Sequence, residues 1–254
     1  AKEEAEIVLS KDANNSSAHL LISGIHASER NINEAILEAK KAAEGDKKLE
    51  AYSLLANLFI LKKNFSQAEE MFNAAVKSDE KNLRARFALA EFYLRSGKTD
   101  TSEREYLGAV EIAPKDSNAY MTLGNFYAAT NRPEEAEKQF LKSKELSPKD
   151  IPVRVHLGNF YLAWGKKDKA EVVFKEAVVN DSKNIQALAR LADFYITDKR
   201  YDEGLKETEK IIKINPKSYE GLLLKGRLFL IKNQFNEAQN LFQSYLKDNP
   251  KDPM

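Results

Sequence analysis

A recurring aromatic pair constrains this chain more than any other feature. Phe-Tyr begins at Phe92, Phe126, Phe160 and Phe194, an interval of 34 residues three times running. Twice the pair closes the same five residues, Leu-Gly-Asn-Phe-Tyr, at 123–127 and 157–161. Recurrence at a fixed interval means that one structural unit is copied along the chain, so the 254 residues read as one array rather than as domains counted by length.

In this frame the units 49–82, 83–116, 117–150, 151–184, 185–218 and 219–252 follow one another without insertion. Residues 16–48 form a weaker unit, with helices expected near Ser17–Arg30 and Ile32–Ala43, and with His19 and His26 where later units mostly have larger or aromatic residues. Residues 1–15 are expected to hold one helix followed by a polar turn, the second half of a truncated unit. No residues remain for a second domain or a long loop.

Counting from the first residue of each unit, position 8 is Ala56, Ala90, Gly124, Gly158, Ala192 and Gly226, always small, as a close helix crossing requires. Position 20 follows the same logic with Ala68, Ser102, Ala136, Ala170, Gly204 and Ala238. Position 11 is always aromatic, and position 24 is Phe72, Tyr106, Phe140, Phe174, Thr208 and Phe242. Large rings fill the space beside the small crossing points. Position 32 is Pro114, Pro148, Pro216 and Pro250, which ends a helix because proline cannot continue the hydrogen-bond ladder. Position 15 carries Gly97, Asn131, Gly165 and Asn233, residues that tolerate the left-handed turn between two helices, while Lys63 and Lys199 depart from that rule. Pro133 suits a first helical turn, and Asp150 ahead of Pro152 reads as a helix start.

Composition removes several functions. Lysine and arginine total 40 against 39 acidic residues, and a formal charge of +1 supplies no field for nucleic acid or anionic lipid. Cysteine is absent, which excludes disulfides, thiolate catalysis and cysteine-ligated metal. No apolar run approaches the roughly 18 residues of a membrane helix. His19 and His26 share a helix face but lack the carboxylates of a recognisable metal site, so no metal and no cofactor is expected. No phosphate loop, nucleophile set or carboxylate pair can be placed, and the expectation is a non-enzyme.

Small at 8, aromatic at 11, small at 20, aromatic at 24 and proline at 32 in a 34-residue period resembles the tetratricopeptide repeat. The resemblance is strong over 49–252, weak over 16–48 and half a unit over 1–15. Lys225 at position 7, Thr208, and Glu80 and Ser182 at position 32 depart from the pattern locally. It implies an all-α, right-handed superhelical solenoid of antiparallel helix pairs, stabilised by neighbour contacts. The first helix of each pair is expected to line a concave face that holds an extended or helical peptide of a protein partner. The half unit at the front and the uncapped last helix imply a segment of a longer protein, with exposed ends that allow end-to-end self-association. The different-class alternative is the repeat portion of a larger enzyme or of an envelope export assembly, such as a glycosyltransferase or a polysaccharide-secretion lipoprotein. The repeat style looks like bacterial envelope-associated arrays.

On each first helix, positions 2, 5, 9 and 12 form the stripe that turns away from the packed one. Position 9 reads Asn57, Glu91, Asn125, Asn159, Asp193 and Arg227. This polar ladder either hydrogen-bonds a partner backbone or is solvated and bonded to neighbouring first helices. Phe87 and Met121 at position 5 are the apolar candidates for partner contact. Some members of the family clamp a terminal carboxylate. The best register here gives Met121, Asn125, His156, Gln186 and Arg190, of which only Asn125 and Arg190 match, which disfavours a chaperone-tail receptor. His156 and Arg190 remain either a holder for one carboxylate or phosphate, or a solvated pair. Trp164 is expected to cover an inter-helix loop rather than to bind a ligand.

Overall fold

The computed structural model describes residues 1–249, which carry 15 helices and no strand. The chain divides into two compact units, Ala1–Phe126 and Tyr127–Met254. The first unit contains α1 (Lys2–Lys11), α2 (Ser16–Ser28), α3 (Ile32–Glu44), α4 (Lys48–Leu61), α5 (Phe65–Ser78), α6 (Leu83–Arg95) and α7 (Thr99–Ile112), and the division falls inside α8 (Ser117–Ala129). The second contains α9 (Pro133–Leu146), α10 (Ile151–Ala163), α11 (Lys167–Asn180), α12 (Ile185–Thr197), α13 (Tyr201–Ile214), α14 (Tyr219–Ile231) and α15 (Phe235–Asp248). First helices start at Leu83, Ser117, Ile151, Ile185 and Tyr219, and second helices at Phe65, Thr99, Pro133, Lys167, Tyr201 and Phe235. Each series steps by the 34 residues of the aromatic pair.

The last residue of each unit fixes where the next first helix starts. Asn82 accepts from the Ala85 amide, Asp150 from Val153, Asn184 from Ala187 and Ser218 from Gly221, satisfying an amide that the helix cannot. Asp116 does the same for Asn118 and Ala119. Second helices mostly start without a side-chain cap and instead place acids in their first turn, such as Glu134, Glu135, Asp202 and Glu203, where the helix dipole favours negative charge. Helices α7, α9 and α13 end just before Pro114, Pro148 and Pro216. The fourth such proline, Pro250, lies outside the described residues.

Position 15 has positive φ in every full unit: Arg30 65°, Lys63 58°, Gly97 75°, Asn131 60°, Gly165 69°, Lys199 64° and Asn233 59°. Lys63 and Lys199 depart from the sequence rule, but their backbone does not. The turn geometry overrides their preference at a cost of about 1 kcal/mol each.

Packing explains the five-residue motif. The position-24 ring of one unit meets the phenylalanine of the next Phe-Tyr: Phe72 with Phe92 at 5.3 Å between centroids, Tyr106 with Phe126 at 5.0 Å, Phe140 with Phe160 at 4.9 Å, and Phe174 with Phe194 at 6.0 Å. Leu157, Gly158, Phe160 and Tyr161 are buried and Asn159 is exposed. A Cβ on Gly158 would overlap the Phe174 ring, whose Cδ1 would lie 2.8 Å away. Thr208, where an aromatic is usual, is fully buried and donates to the Gly204 carbonyl at 2.8 Å, so its hydroxyl is satisfied within the helix. Lys225 lays its ammonium over the Phe229 ring at 5.7 Å. Trp164 packs on Phe160 at 6.2 Å beside the Gly165 turn. His19 is buried between the Glu38 carboxylate at 2.6 Å and the Ala13 carbonyl at 3.0 Å, a structural tie between α2, α3 and the α1–α2 turn. No helix among the described residues is long and apolar enough to cross a membrane.

Candidate functional site

Each unit opens a cleft between successive first helices. In the first unit the cleft between α4 and α6 measures about 350 Å³, with Ser53, Asn57, Glu91 and Arg95 at its polar edge and Ile60, Phe65, Phe72 and Phe92 forming its apolar part. In the second unit the cleft between α12 and α14 measures about 410 Å³ and is lined by Gln186, Ala189, Arg190, Asp193, Glu220, Leu223 and Leu224. Both contain side chains of position 9, because successive first helices lie side by side and leave a groove where their outward stripes face each other.

Most of the ladder has local partners. The Asn57 amide donates to the Ser53 carbonyl of its own helix at 2.9 Å. Glu91 accepts from Arg95 at 2.7 Å and from the Tyr106 hydroxyl at 3.4 Å. Burial and the Glu91 carboxylate push the Tyr106 phenol up to about 12, so it remains a donor. Asp193 pairs with Arg227 one repeat further on, and Arg227 also reaches Thr197 at 3.4 Å. Asn125 and Asn159 are exposed. Phe87 is half-buried against Tyr106 at 6.0 Å, and Met121 is half-buried. His156 sits edge-on to Phe140 at 5.2 Å, and burial lowers its pKa, which favours the neutral ring. Arg190 is exposed in the α12–α14 cleft, whose lining does not include His156. The structure therefore groups Asn57 with Glu91 and Arg190 with Asp193, and sets His156 against the scaffold. Among the described residues no cluster of three or more histidine, aspartate and glutamate side chains is arranged to hold a metal ion.

A second regularity links consecutive units. Glu69 accepts from Lys98 at 2.7 Å, Glu137 from Lys166 at 2.7 Å and Glu171 from Arg200 at 2.6 Å, always position 21 of one unit with position 16 of the next. Two of these cations lie over position-11 tyrosines, Lys98 over Tyr93 at 5.4 Å and Arg200 over Tyr195 at 4.5 Å. Burial works against ionisation of Glu137, but the donors Lys166, Lys169 and Tyr161 outweigh it and hold the carboxyl at about 2. Arg200, aided by Lys175 and against desolvation, does the same for Glu171, also at about 2. Where the pattern stops, both partners change together, to Leu205 and Gln234.

Comparison with known proteins fixes the family. Tetratricopeptide-repeat models match residues 59–117, and again 117–150, 151–184 and 185–218. The chain belongs to the tetratricopeptide-repeat family. No curated protein matches it. Among solved structures, yeast Tom70 is 18% identical with a TM-score of 0.66, over 97% of this chain and 54% of that one. A tetratricopeptide-repeat protein of Parabacteroides merdae is 16% identical with a TM-score of 0.55, over 91% and 92% of the two chains. Pseudomonas aeruginosa pilF is 18% identical with a TM-score of 0.52, over 89% and 99%. At such identities the likeness is one of fold: an all-α helical solenoid.

Tetratricopeptide repeats are in general scaffolds that hold other proteins rather than enzymes. Sequence reasoning on the outward stripe missed Phe65 and Arg95, which line the first cleft of this tetratricopeptide-repeat chain, while Leu223, which lines the second, lies at position 5 of that stripe. Phe65 carried a signal, being a large apolar residue at the turn position where the next units have Thr99, Pro133 and Lys167. The glutamates at position 21 and cations at position 16 were equally open to reading.

Proposed function

We propose that the chain holds a segment of a protein partner, extended or helical, on the outward face of its first helices. Asn57, Phe87, Glu91, Met121, Asn125, His156, Asn159, Arg190 and Asp193 are the proposed contact set, joined by Phe65, Arg95 and Leu223. One observation supports this reading above the rest: each unit opens its own cleft between first helices, and each lining combines position-5 and position-9 side chains with apolar surface. Polar edges with an apolar interior suit a peptide, whose backbone offers donors and acceptors and whose side chains offer apolar area. In the first cleft Phe65 is 56% exposed, a ring left in solvent that a partner side chain would cover.

The test is recovery of a partner by immobilised wild-type chain, followed by binding measurements on Asn125→Ala with Asn159→Ala, and separately on Phe65→Ser. Affinity is expected to fall about tenfold for Phe65→Ser and less for the asparagine pair, with melting temperatures nearly unchanged because all three side chains are exposed. Unchanged affinity in both variants removes this face as the binding surface.

A further inference from the structure

Two first helices carry a basic side chain paired with a glutamate at the same two places in the repeat. His19 and Arg86 stand at position 4, and their partners, Glu38 and Glu105, at position 23. Arg86 Nη1 donates to Glu105 at 2.9 Å, and a guanidinium keeps its charge at any pH at which a protein folds. His19 Nδ1 lies 2.6 Å from the Glu38 carboxylate, and the residue is only 4% exposed. The histidine makes conditional what the arginine makes permanent.

The proton count follows from the partners. His19 Nε2 lies 3.0 Å from the Ala13 carbonyl oxygen in the α1–α2 turn, an atom that only accepts, so Nε2 carries a proton. Nδ1 faces Glu38 Oε2, while the other oxygen of that carboxylate accepts from Lys41 at 2.7 Å. Burial opposes ionisation of Glu38, but Lys41 and His19 outweigh it and hold the carboxyl below its ordinary range, so the proton of the short contact sits on Nδ1. Both ring nitrogens therefore donate, which only the imidazolium can do. A ring with one proton keeps it toward the Glu38 charge and turns a bare Nε2 lone pair on the Ala13 carbonyl, in a site nearly closed to solvent. Other charged groups nearby are engaged elsewhere. The Asp12 carboxylate in the turn accepts from the Asn14 amide at 3.2 Å and from the Asn15 side chain at 3.1 Å, and His26, two turns further along α2, lies 3.7 Å from Glu29.

We propose that His19 is a proton-operated latch on α1: its imidazolium ties the α1–α2 turn to α2 and α3, and loss of one proton frees α1 and uncovers Ala18 and Ile22. Helix α1 packs chiefly on α2, through Ala5 and Leu9 against Ala18 and Ile22. A cluster this small leaves the balance to a single bond. Losing one hydrogen bond to a charged group shifts the ratio of docked to freed α1 by about tenfold or more. The latch is separate from the first-helix clefts and stands or falls independently of them.

The test is amide hydrogen exchange of the whole chain, followed by NMR at about pH 5.5 and about pH 8, which bracket the change of charge of histidine. Its readout is the ratio of the protection factors of Leu9 and Ser10 in α1 to those of Ala39 and Ala42 in α3. In the wild type the ratio is expected to fall about tenfold at the higher pH, while nitrogen-15 spectra of the His19 ring show two protonated nitrogens at the lower pH and one at the higher. In His19→Gln the ratio is expected to be the same at both, and in His26→Gln the wild-type fall is expected to remain. Should His19→Gln weaken the fold, Glu38→Gln removes the charge beside the ring and is expected to move the fall to lower pH. A wild-type ratio that ignores pH, a fall that persists in His19→Gln or vanishes in His26→Gln, a fall that stays in place in Glu38→Gln, or a single ring proton at the lower pH each overturn the proposal.

Discussion

The first-unit cleft places three rings, Phe65, Phe72 and Phe92, behind a rim in which Glu91 is already engaged by Arg95, whereas the second-unit cleft places Ala189, Leu223 and Leu224 beside an Arg190 that has no carboxylate partner among the described residues. Both include repeat positions 5, 6 and 9, and they differ in the rest of their linings. The repeat fixes the backbone, the small crossings and the inter-unit rings, and leaves only a few outward positions free to differ. What each unit recognises is therefore written in a handful of side chains, and the two units present different chemistry from one scaffold. The crossings do not sort by unit, the first having Ala56, Ala90 and Gly124 and the second Ala192, Gly226 and Gly158, where a Cβ would meet the Phe174 ring.

The largest effect is expected at that crossing. Gly158→Leu drives a side chain into Phe174 and is expected to cost about 3 kcal/mol by thermal denaturation. Gly158→Ala reads the same crossing more finely. Alanine is the better helix former by about 1 kcal/mol, so a net loss shows that the second unit needs the glycine for space, and a gain shows that it crosses as loosely as an alanine site.

An effect of about 1 kcal/mol is expected for Glu137→Gln, which removes the negative charge, and one of the two acceptor oxygens, that Lys166, Lys169 and Tyr161 share. Its pH signature has a defined sign. The folded carboxyls of Glu137 and Glu171 titrate near 2, below the ordinary 4.5, so their stabilisation is fully present above about pH 5 and is lost as pH falls from 4.5 towards 2. Acid denaturation followed by circular dichroism is expected to show a shallower loss of stability in Glu137→Gln than in the wild type. Identical acid profiles contradict the carboxyl's role.

A smaller gain is expected at the strained turns, and here the units should behave alike. Lys63→Gly and Lys199→Gly each relieve a left-handed lysine and are expected to stabilise by up to about 1 kcal/mol in urea titrations. Opposite signs in the two units would show that one lysine side chain makes a contact worth more than the strain.

The repeat was legible in the sequence because its constraints are steric and periodic. A small residue at position 8 and a ring at position 24 must recur wherever two helices cross, so Leu-Gly-Asn-Phe-Tyr announced both the interval and the burial of four of its five members. The stripe of position 9 was legible for the same reason. Its partners were less so, since whether Asp193 meets solvent or Arg227 depends on the stacking of one unit on the next. Phe65 escaped because it heads the second helix, off the outward stripe of the first: a cleft is a property of two neighbouring helices and appears in neither alone.

The most direct test of partner binding on the first-helix face uses a peptide selected on the whole chain from a random displayed library. Its affinity is measured by fluorescence anisotropy for the wild type and for a variant carrying Phe65→Ser, Glu91→Gln, Arg190→Gln and Leu223→Ser, all outside the fully buried core. Binding at least about tenfold weaker, with an unchanged circular dichroism spectrum, is the expected result. Equal affinity for both chains would contradict it.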